Sequence, residues 1–157
     1  QKEIAMNETT KTLTKLCRPG ARRQHNGILY YTKVELIDEE GMSVSELWTN
    51  RKYTLRLSYE SVKRMSDVRF VVGITHEEGT YCYGTYIDIK GDVEQRGTVK
   101  LEFENKLLKG RYVLDLWIEQ FDGEKYDSVY SLLDLKVDTK EYKERGFLTM
   151  PHEWELE

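Results

Sequence analysis

The stretch GRYVLDLWIEQFDGEKYDSVYSLLDLKV, Gly110 to Val137, decides the fold of this chain. In its first half the apolar residues recur at every second position: Tyr112, Leu114, Leu116 and Ile118. This period is that of a β-strand with one buried face. After Asp122-Gly123 a second alternating run returns: Val129, Ser131, Leu133, Leu135 and Val137. Because Asp-Gly is a strong reversal signal, the stretch predicts a central antiparallel hairpin.

The opposite face of this hairpin mixes aromatic and acidic side chains: Asp115, Trp117, Glu119, Tyr130, Leu132 and Asp134. Aromatic rings stack on the apolar faces of sugars, and carboxylates accept hydrogen bonds from the surrounding hydroxyls. Tyr and Trp also suit strands for structural reasons alone, which is the more frequent explanation for any single ring. For the cluster as a whole we favour function, and we predict that Asp115, Trp117, Glu119 and Tyr130 bind carbohydrate.

Alternating runs of the same kind, separated by turn signals, precede the hairpin. They predict strands over 28–37, 44–48, 53–59, 68–76, 81–89 and 99–103. Many short strands without a convincing amphipathic helix predict an all-β fold, an antiparallel two-sheet β-sandwich of immunoglobulin-like size. We assign residues 27–157 to this domain. Residues 1–26 are polar and contain Pro19-Gly20, which indicates a linker or tail from an upstream domain.

Composition and charge limit the classes of partner. The chain has 157 residues, 39% of them hydrophobic, which suits one domain with a core of its own. Its formal charge is -4, but residues 1–23 carry six Lys or Arg and two Glu, a local +4 that leaves -8 for the rest. An acidic body argues against nucleic acid as the main partner, because phosphate binding requires concentrated Lys and Arg.

The sequence predicts a cytoplasmic setting. No apolar run approaches the roughly 20 residues that span a bilayer, and the N-terminus lacks the apolar core of a secretory signal. Cys17 and Cys82 stand far apart, so a disulfide framework is not expected and a reducing compartment is favoured.

Motifs for catalysis, metals and cofactors are missing from the sequence. Neither a phosphate-binding Gly-rich loop nor the dinucleotide fingerprint is present. His25, His76 and His152 are scattered, so no metal site and no cofactor is predicted. Asp115 and Glu119 are four residues apart on one strand, about 13 Å along the backbone, which is not a prepared glycosidase pair. We therefore predict no catalytic residues.

The order of several motifs resembles a known family. These motifs are the run from Leu107 to Ile118, Tyr126-Asp127, Leu135-Lys136-Val137, Gly146-Phe147 and His152-Glu153-Trp154, preceded by Val34 to Asp38, Tyr53 to Leu57 and Gly84-Thr85. Over residues 28–154 the chain is similar to the C-terminal domain of Wzt-type proteins. These are the ATP-binding subunits of ABC transporters that export O-antigen and related polysaccharides.

The resemblance implies a non-catalytic domain that recognises the exported polysaccharide, often at its terminal region. It implies a location in the cytoplasm at the inner membrane, with an upstream ATP-binding domain and a membrane transporter subunit as partners. It also implies a homodimer in which a C-terminal strand crosses to the other subunit, here through Gly146, Phe147, Leu148, Met150 and Trp154. The apolar residues of this segment follow a charged connector and need a surface to cover, which agrees with strand exchange.

Two alternatives stay open at the level of sequence. The domain could be a structural sandwich that dimerises the transporter without binding glycan directly. It could also be an enzyme acting on glycans, although no acid and nucleophile pair is visible.

Overall fold

A computed structural model describes residues 2–4, 12–141 and 143–157 of the chain. Ten strands make up this part of the chain: β1 (Lys2–Ile4), β2 (Arg22–His25), β3 (Leu29–Ile37), β4 (Glu46–Trp48), β5 (Lys52–Ser61), β6 (Met65–His76), β7 (Tyr81–Val93), β8 (Arg96–Glu104), β9 (Gly110–Gln120) and β10 (Lys125–Asp138). The predicted all-β sandwich is confirmed.

The strands form two sheets. The larger sheet has the order β1-β2-β10-β9-β6-β7, with β4 joined to the end of β10 in the one parallel pairing among the described strands. The smaller sheet has the order β3-β5-β8 and is antiparallel. The predicted hairpin is β9 and β10, turned at Gly123, whose φ of 95° requires glycine. It lies in the middle of the larger sheet.

The core lies between the two sheets and follows the predicted alternation. On β9, the side chains of Tyr112, Leu114, Leu116 and Ile118 are all at most 2% exposed. The smaller sheet contributes the inward residues of β5 to this core, which are Tyr53, Leu55, Leu57 and Tyr59. Each fully buried apolar side chain of this size contributes about 1.5–3 kcal/mol of transfer free energy. The sandwich therefore depends on the facing surfaces of β5 and β9.

An irregularity in β10 changes the outward face that the sequence predicted. The register advances by four residues on β10, from Val129 to Leu133, while it advances by two on β9. Ser131 adopts a left-handed φ of 55° within this bulge. Leu132 is consequently fully buried, so its predicted outward position is wrong. A strict period of two cannot reveal this bulge, because Val129, Leu133 and Leu135 keep the predicted inward phase while Leu132 is buried among the two extra residues.

The segment predicted to be a linker packs onto the sandwich over much of its length. Its strand β2 pairs with β10, and Leu13 and Ala21 are buried. Arg23, also in β2, is 3% exposed and forms a bidentate ion pair with Asp127, with N···O distances of 3.1 and 2.7 Å. Residues 1 and 5–11 of the predicted linker lie outside the described residues. Residues 12–25 therefore belong to the packed body of the domain.

Two buried tyrosines make the fold sensitive to alkali. Burial raises the pKa of Tyr112 from 10.0 to about 12, and its hydroxyl donates to the Leu108 carbonyl at 2.7 Å. Burial also raises the pKa of Tyr31 well above its ordinary value. In the unfolded chain these hydroxyls ionise near pH 10, whereas in the folded protein they stay protonated. Their contribution to stability is thus complete below pH 10 and is lost as pH rises toward about 12.

We expect the urea midpoint of the protein to fall between pH 9 and pH 11. Tyr112→Phe should make this fall smaller, because the substituted ring has no proton to lose. The control is Tyr83→Phe, since the Tyr83 ring is almost half exposed. An equally steep fall in both variants would contradict a role for Tyr112.

Candidate functional site

The outer surfaces of the two sheets differ in chemistry. On the smaller sheet the outward side chains are mostly charged and paired with each other. The pairs are Lys33–Glu35, Arg56–Glu35, Arg96–Glu60 and Lys100–Glu102. Such a surface is typical of a solvated face. On the larger sheet the outer surface carries the rings of Tyr81, Tyr86, Trp117 and Tyr130, which we call the aromatic face.

Sheet register places Trp117 at the centre of the aromatic face. Trp117 lies opposite Val71 of β6, and Val71 in turn lies opposite Tyr86 of β7. Val71 is only 6% exposed although it is not part of the core between the sheets. The Trp117 backbone is also fixed from the core side, because the buried Tyr31 hydroxyl donates a hydrogen bond to the Trp117 carbonyl at 2.9 Å. The ring is half-buried, and it lies outside the hydrophobic interior.

Trp117 and Tyr130, which the sequence predicts to act together, both lie near the ammonium group of Lys125. The Lys125 Nζ lies 5.4 Å from the centroid of the Trp117 ring and 3.4 Å from the Tyr130 hydroxyl. The guanidinium of Arg22 lies 5.9 Å from the centre of the Tyr130 ring. Cation–π contacts of this kind contribute about 0.5–1 kcal/mol at exposed sites and hold rings in place.

Asp115 is engaged in fixing the β10 bulge. Its two carboxylate oxygens accept hydrogen bonds from the Ser131 amide at 2.7 Å and from the Thr75 hydroxyl at 3.0 Å. The Ser131 amide belongs to the residue with the left-handed backbone, so the carboxylate stabilises the bulge that follows Tyr130. Carboxylate oxygens have about four lone-pair sites, which leaves Asp115 able to accept further hydrogen bonds.

Glu119 lies at one end of the face within a charged cluster. It is opposite both Arg69 and Lys125 in the sheet register, and its Oε1 is 3.8 Å from an Arg69 nitrogen. Arg69 itself is hydrogen-bonded to Asp88 at 2.7 Å, which lowers the pKa of that carboxyl and raises the pKa of Arg69. The Arg69 guanidinium lies 4.3 Å from the centre of the Tyr86 ring. This cluster orients Tyr86.

All four residues that the sequence singled out therefore lie on one surface. Sequence reasoning missed Tyr81, Tyr86 and Arg69, which come from β6 and β7. The frequent Tyr in residues 81–86 indicated an aromatic surface, but the sequence did not reveal that β7 lies two strands away from β9. Among the described residues, no group of three or more His, Cys, Asp or Glu is arranged to hold a metal ion.

The C-terminal segment divides into a packed part and an exposed part. Residues 147–149 pair with 106–108 of the same chain through backbone hydrogen bonds of 2.8 Å, and Gly146 introduces them with a φ of 103°. The Phe147 ring centroid lies 4.8 Å from that of His76. Beyond this point exposure rises, to 70% at Met150 and 94% at Trp154.

No helix in the described ranges has the length and apolarity needed to cross a bilayer.

The two sheets, antiparallel except at β4, define an immunoglobulin-like β-sandwich domain with an aromatic outer face. Residues 20–150 match the family model described as the Wzt C-terminal domain. The chain belongs to the Wzt C-terminal domain family. The predicted family, a non-catalytic domain of O-antigen ABC transporters, is therefore confirmed.

The fold agrees with one solved structure, and two others are only weakly similar. The crystal structure of a Wzt C-terminal domain has a TM-score of 0.80 and 18% identity, and the match covers 98% of this chain and 100% of that one. The DNA glycosylase AlkC of Pseudomonas fluorescens has a TM-score of 0.48 and 10% identity, and the match covers 71% of this chain and 31% of that one. A CARDB domain from Pyrococcus furiosus has a TM-score of 0.44 and 11% identity, and the match covers 74% of this chain and 100% of that one. Likenesses this weak support no argument about function. No curated protein sequence matches the chain.

Proposed function

We propose that this domain binds the polysaccharide that its transporter exports, an O-antigen-like glycan recognised at or near its terminal region, without cleaving it. The single observation that supports this most is the position of the half-buried Trp117 ring at the centre of the aromatic face, on a backbone held rigid by β6 and β10. Binding would take place in the cytoplasm at the inner membrane, beside an ATP-binding domain and a membrane transporter subunit.

The physical argument concerns pre-organisation. Sugars are well hydrated, so a protein gains little from hydrogen bonds that merely replace those with water. It gains more from apolar contact with the C–H faces of the sugar, provided that the contacting rings lose little entropy on binding. The rings of Trp117, Tyr86 and Tyr130 each have a cation within 6 Å that restricts them. Asp115 and Glu119 at their margins would accept hydrogen bonds from sugar hydroxyls.

The direct test is a titration of the full chain with polysaccharide prepared from the lipopolysaccharide of the strain that encodes it. We expect saturable binding, seen as a change in tryptophan fluorescence and as heat in calorimetry. Dextran at equal mass concentration is the control probe and should give neither signal. Equal responses to the two polymers, or none to either, would exclude specific glycan recognition by this domain.

The proposed homodimer involves the exposed end of the C-terminal segment. Apolar side chains alternate there at positions 148, 150, 154 and 156, and Leu156 is fully exposed. Leu148 pairs with Leu107 of its own chain, whereas residues 150–157 belong to no strand pairing among the described residues, so they have the pattern of a half-buried strand without a partner there. A receiving edge exists at β7, where Tyr83 and Ile87 pair with core residues of β6 and are still 46% and 47% exposed. We propose that the segment of one subunit covers this edge of the other.

Deleting residues 151–157 is expected to convert the dimer to a monomer. The packed residues 147–149 remain in such a variant, so the fold itself should survive. Size-exclusion chromatography with light scattering, at one protein concentration for both chains, measures the result. Thr149→Ala, on the opposite side of the alternating pattern, is the control and should stay dimeric. A truncated chain that remains a dimer would rule out exchange through this segment.

The same exposed segment supports the alternative function, a sandwich that dimerises the transporter without contacting glycan. This alternative predicts a dimer that depends on residues 151–157 and shows no response to the polysaccharide at any concentration tested. The titration and the truncation together distinguish the two functions.

A further inference from the structure

Two glycines on neighbouring strands lie beneath the ring of Tyr81. Gly73 of β6 and Gly84 of β7 are directly opposite each other, and Gly73 is opposite Asp115 of β9. A Cβ added to Gly84 would overlap the hydroxyl of Tyr81, and one added to Gly73 would lie 2.9 Å from its Cε1. The Tyr81 ring therefore occupies the space that two outward side chains would otherwise fill, and it lies across both strands.

The ring reaches this place because β7 is irregular. The register between β6 and β7 shifts at Ile74 and Thr75, which leaves Cys82 as an extra residue between Tyr81 and Tyr83. Bulges of this kind re-aim the neighbouring side chain. Tyr81 is opposite Thr75 but extends along the sheet to Gly84.

The rings of Tyr81 and Trp117 both lie next to Gly73. The Cζ3 atom of Trp117 would lie 3.4 Å from a Cβ on that glycine, next to the Cε1 of Tyr81. Tyr81 nevertheless remains 56% exposed, so one side of its ring is covered by the sheet and the rest is open. Burial, together with the charge of Asp115, raises the pKa of the Tyr81 hydroxyl.

We infer that Tyr81 is a second stacking surface for the glycan and that Gly73 and Gly84 are the positioning residues that give it this orientation. The inference rests on the proposed glycan site and extends it. The ligand it fits is a segment of at least two sugar rings with accessible C–H faces, one over Trp117 and the next over Tyr81. A single sugar on Trp117 would leave the Tyr81 ring unused.

Gly84→Ala tests this without removing any aromatic atom. Gly84 has no left-handed backbone, so alanine fits its conformation, and the methyl group displaces only the far end of an exposed side chain. We expect the Kd for the lipopolysaccharide-derived polysaccharide to rise about tenfold, as it should for Tyr81→Ala. Tyr81→Phe should change it less than twofold, because stacking needs only the ring. Gly20→Ala, whose Cβ would meet only Arg18 at an ordinary 3.7 Å, is the matched control.

The double variant Gly84→Ala with Tyr81→Ala decides whether the glycine acts through the tyrosine. Its Kd should equal that of Tyr81→Ala alone, and a further loss would overturn the positioning role of Gly84. Unchanged binding by Tyr81→Ala, while Trp117→Ala loses binding, would overturn the inference and leave the glycan site standing. Unchanged binding by both variants would refute the glycan site as well. Circular dichroism and the thermal midpoint of each variant establish that it is folded.

Discussion

Trp117→Ala abolishes measurable binding of the polysaccharide, if the aromatic face is the glycan site. Large aromatic residues at the centre of an interface typically cost about 2–4 kcal/mol when truncated, which corresponds to roughly a thirtyfold to thousandfold weaker Kd. A complex that is only moderately tight in the wild type would then fall below detection. Loss of the ring should also uncover Val71, which is buried on the outer surface between Trp117 and Tyr86.

Trp48 provides the matched control for this variant. Its ring is 37% exposed and lies 5.6 Å from the Arg51 guanidinium, in β4 at the end of β10 and away from the aromatic face. Trp48→Ala should therefore leave the Kd unchanged. Calorimetric titration of both variants, after their folding has been checked by circular dichroism, measures the difference. A Trp117→Ala protein that binds as tightly as the wild type would mean that the glycan binds elsewhere or not at all.

Asp127→Ala is expected to lower the free energy of unfolding by about 3–5 kcal/mol, the usual cost of breaking a buried ion pair on one side. Asp127 is completely buried and accepts hydrogen bonds from Arg23 and from the Tyr31 amide, the latter at 2.9 Å. Removing the carboxylate takes away the negative charge that faces the buried Arg23 guanidinium, whose hydrogen bond to the Tyr31 carbonyl at 2.8 Å remains. The loss would affect β2, β3 and β10 together, since the three residues lie on these three strands.

The control for Asp127 lies on the same strand. Asp134 forms an ion pair with Arg18 at 2.7 Å, but its side chain is 65% exposed. Exposed pairs contribute about 0–1 kcal/mol, so Asp134→Ala should be nearly neutral. Urea unfolding at pH 7 gives both free energies. Similar small losses in the two variants would show that Arg23 finds another partner or becomes hydrated when Asp127 is removed.

Much of the fold could be predicted from local patterns, because a strand with one buried face must alternate. The inward positions of β9 and the strand over 53–59, now β5, were predicted from this period, and the turn at Gly123 from the Asp-Gly dipeptide. The outward positions of Asp115, Trp117 and Glu119 followed from the same period. The outward position of Tyr130 followed from the alternation of β10, which has the same phase before and after the bulge.

Predictions failed where a residue depends on a neighbour that is distant in sequence. Leu132 is buried because it lies within the bulge at Ser131, and Asp115 of another strand accepts a hydrogen bond from the Ser131 amide of that bulge. The tail was predicted to be a linker because its composition is polar. One of its charges, that of Arg23, is buried against Asp127, 104 residues later.

By itself, then, the sequence determined the class of fold, the central hairpin and the outward acidic and aromatic cluster of β9, since these follow from the period and the turn chemistry of contiguous residues. Tertiary structure alone decided which rings share the aromatic face. Tyr81 and Tyr86 reach Trp117 only because β6 lies between β7 and β9, and the order of strands in a sheet is set by long-range pairing that no local period encodes.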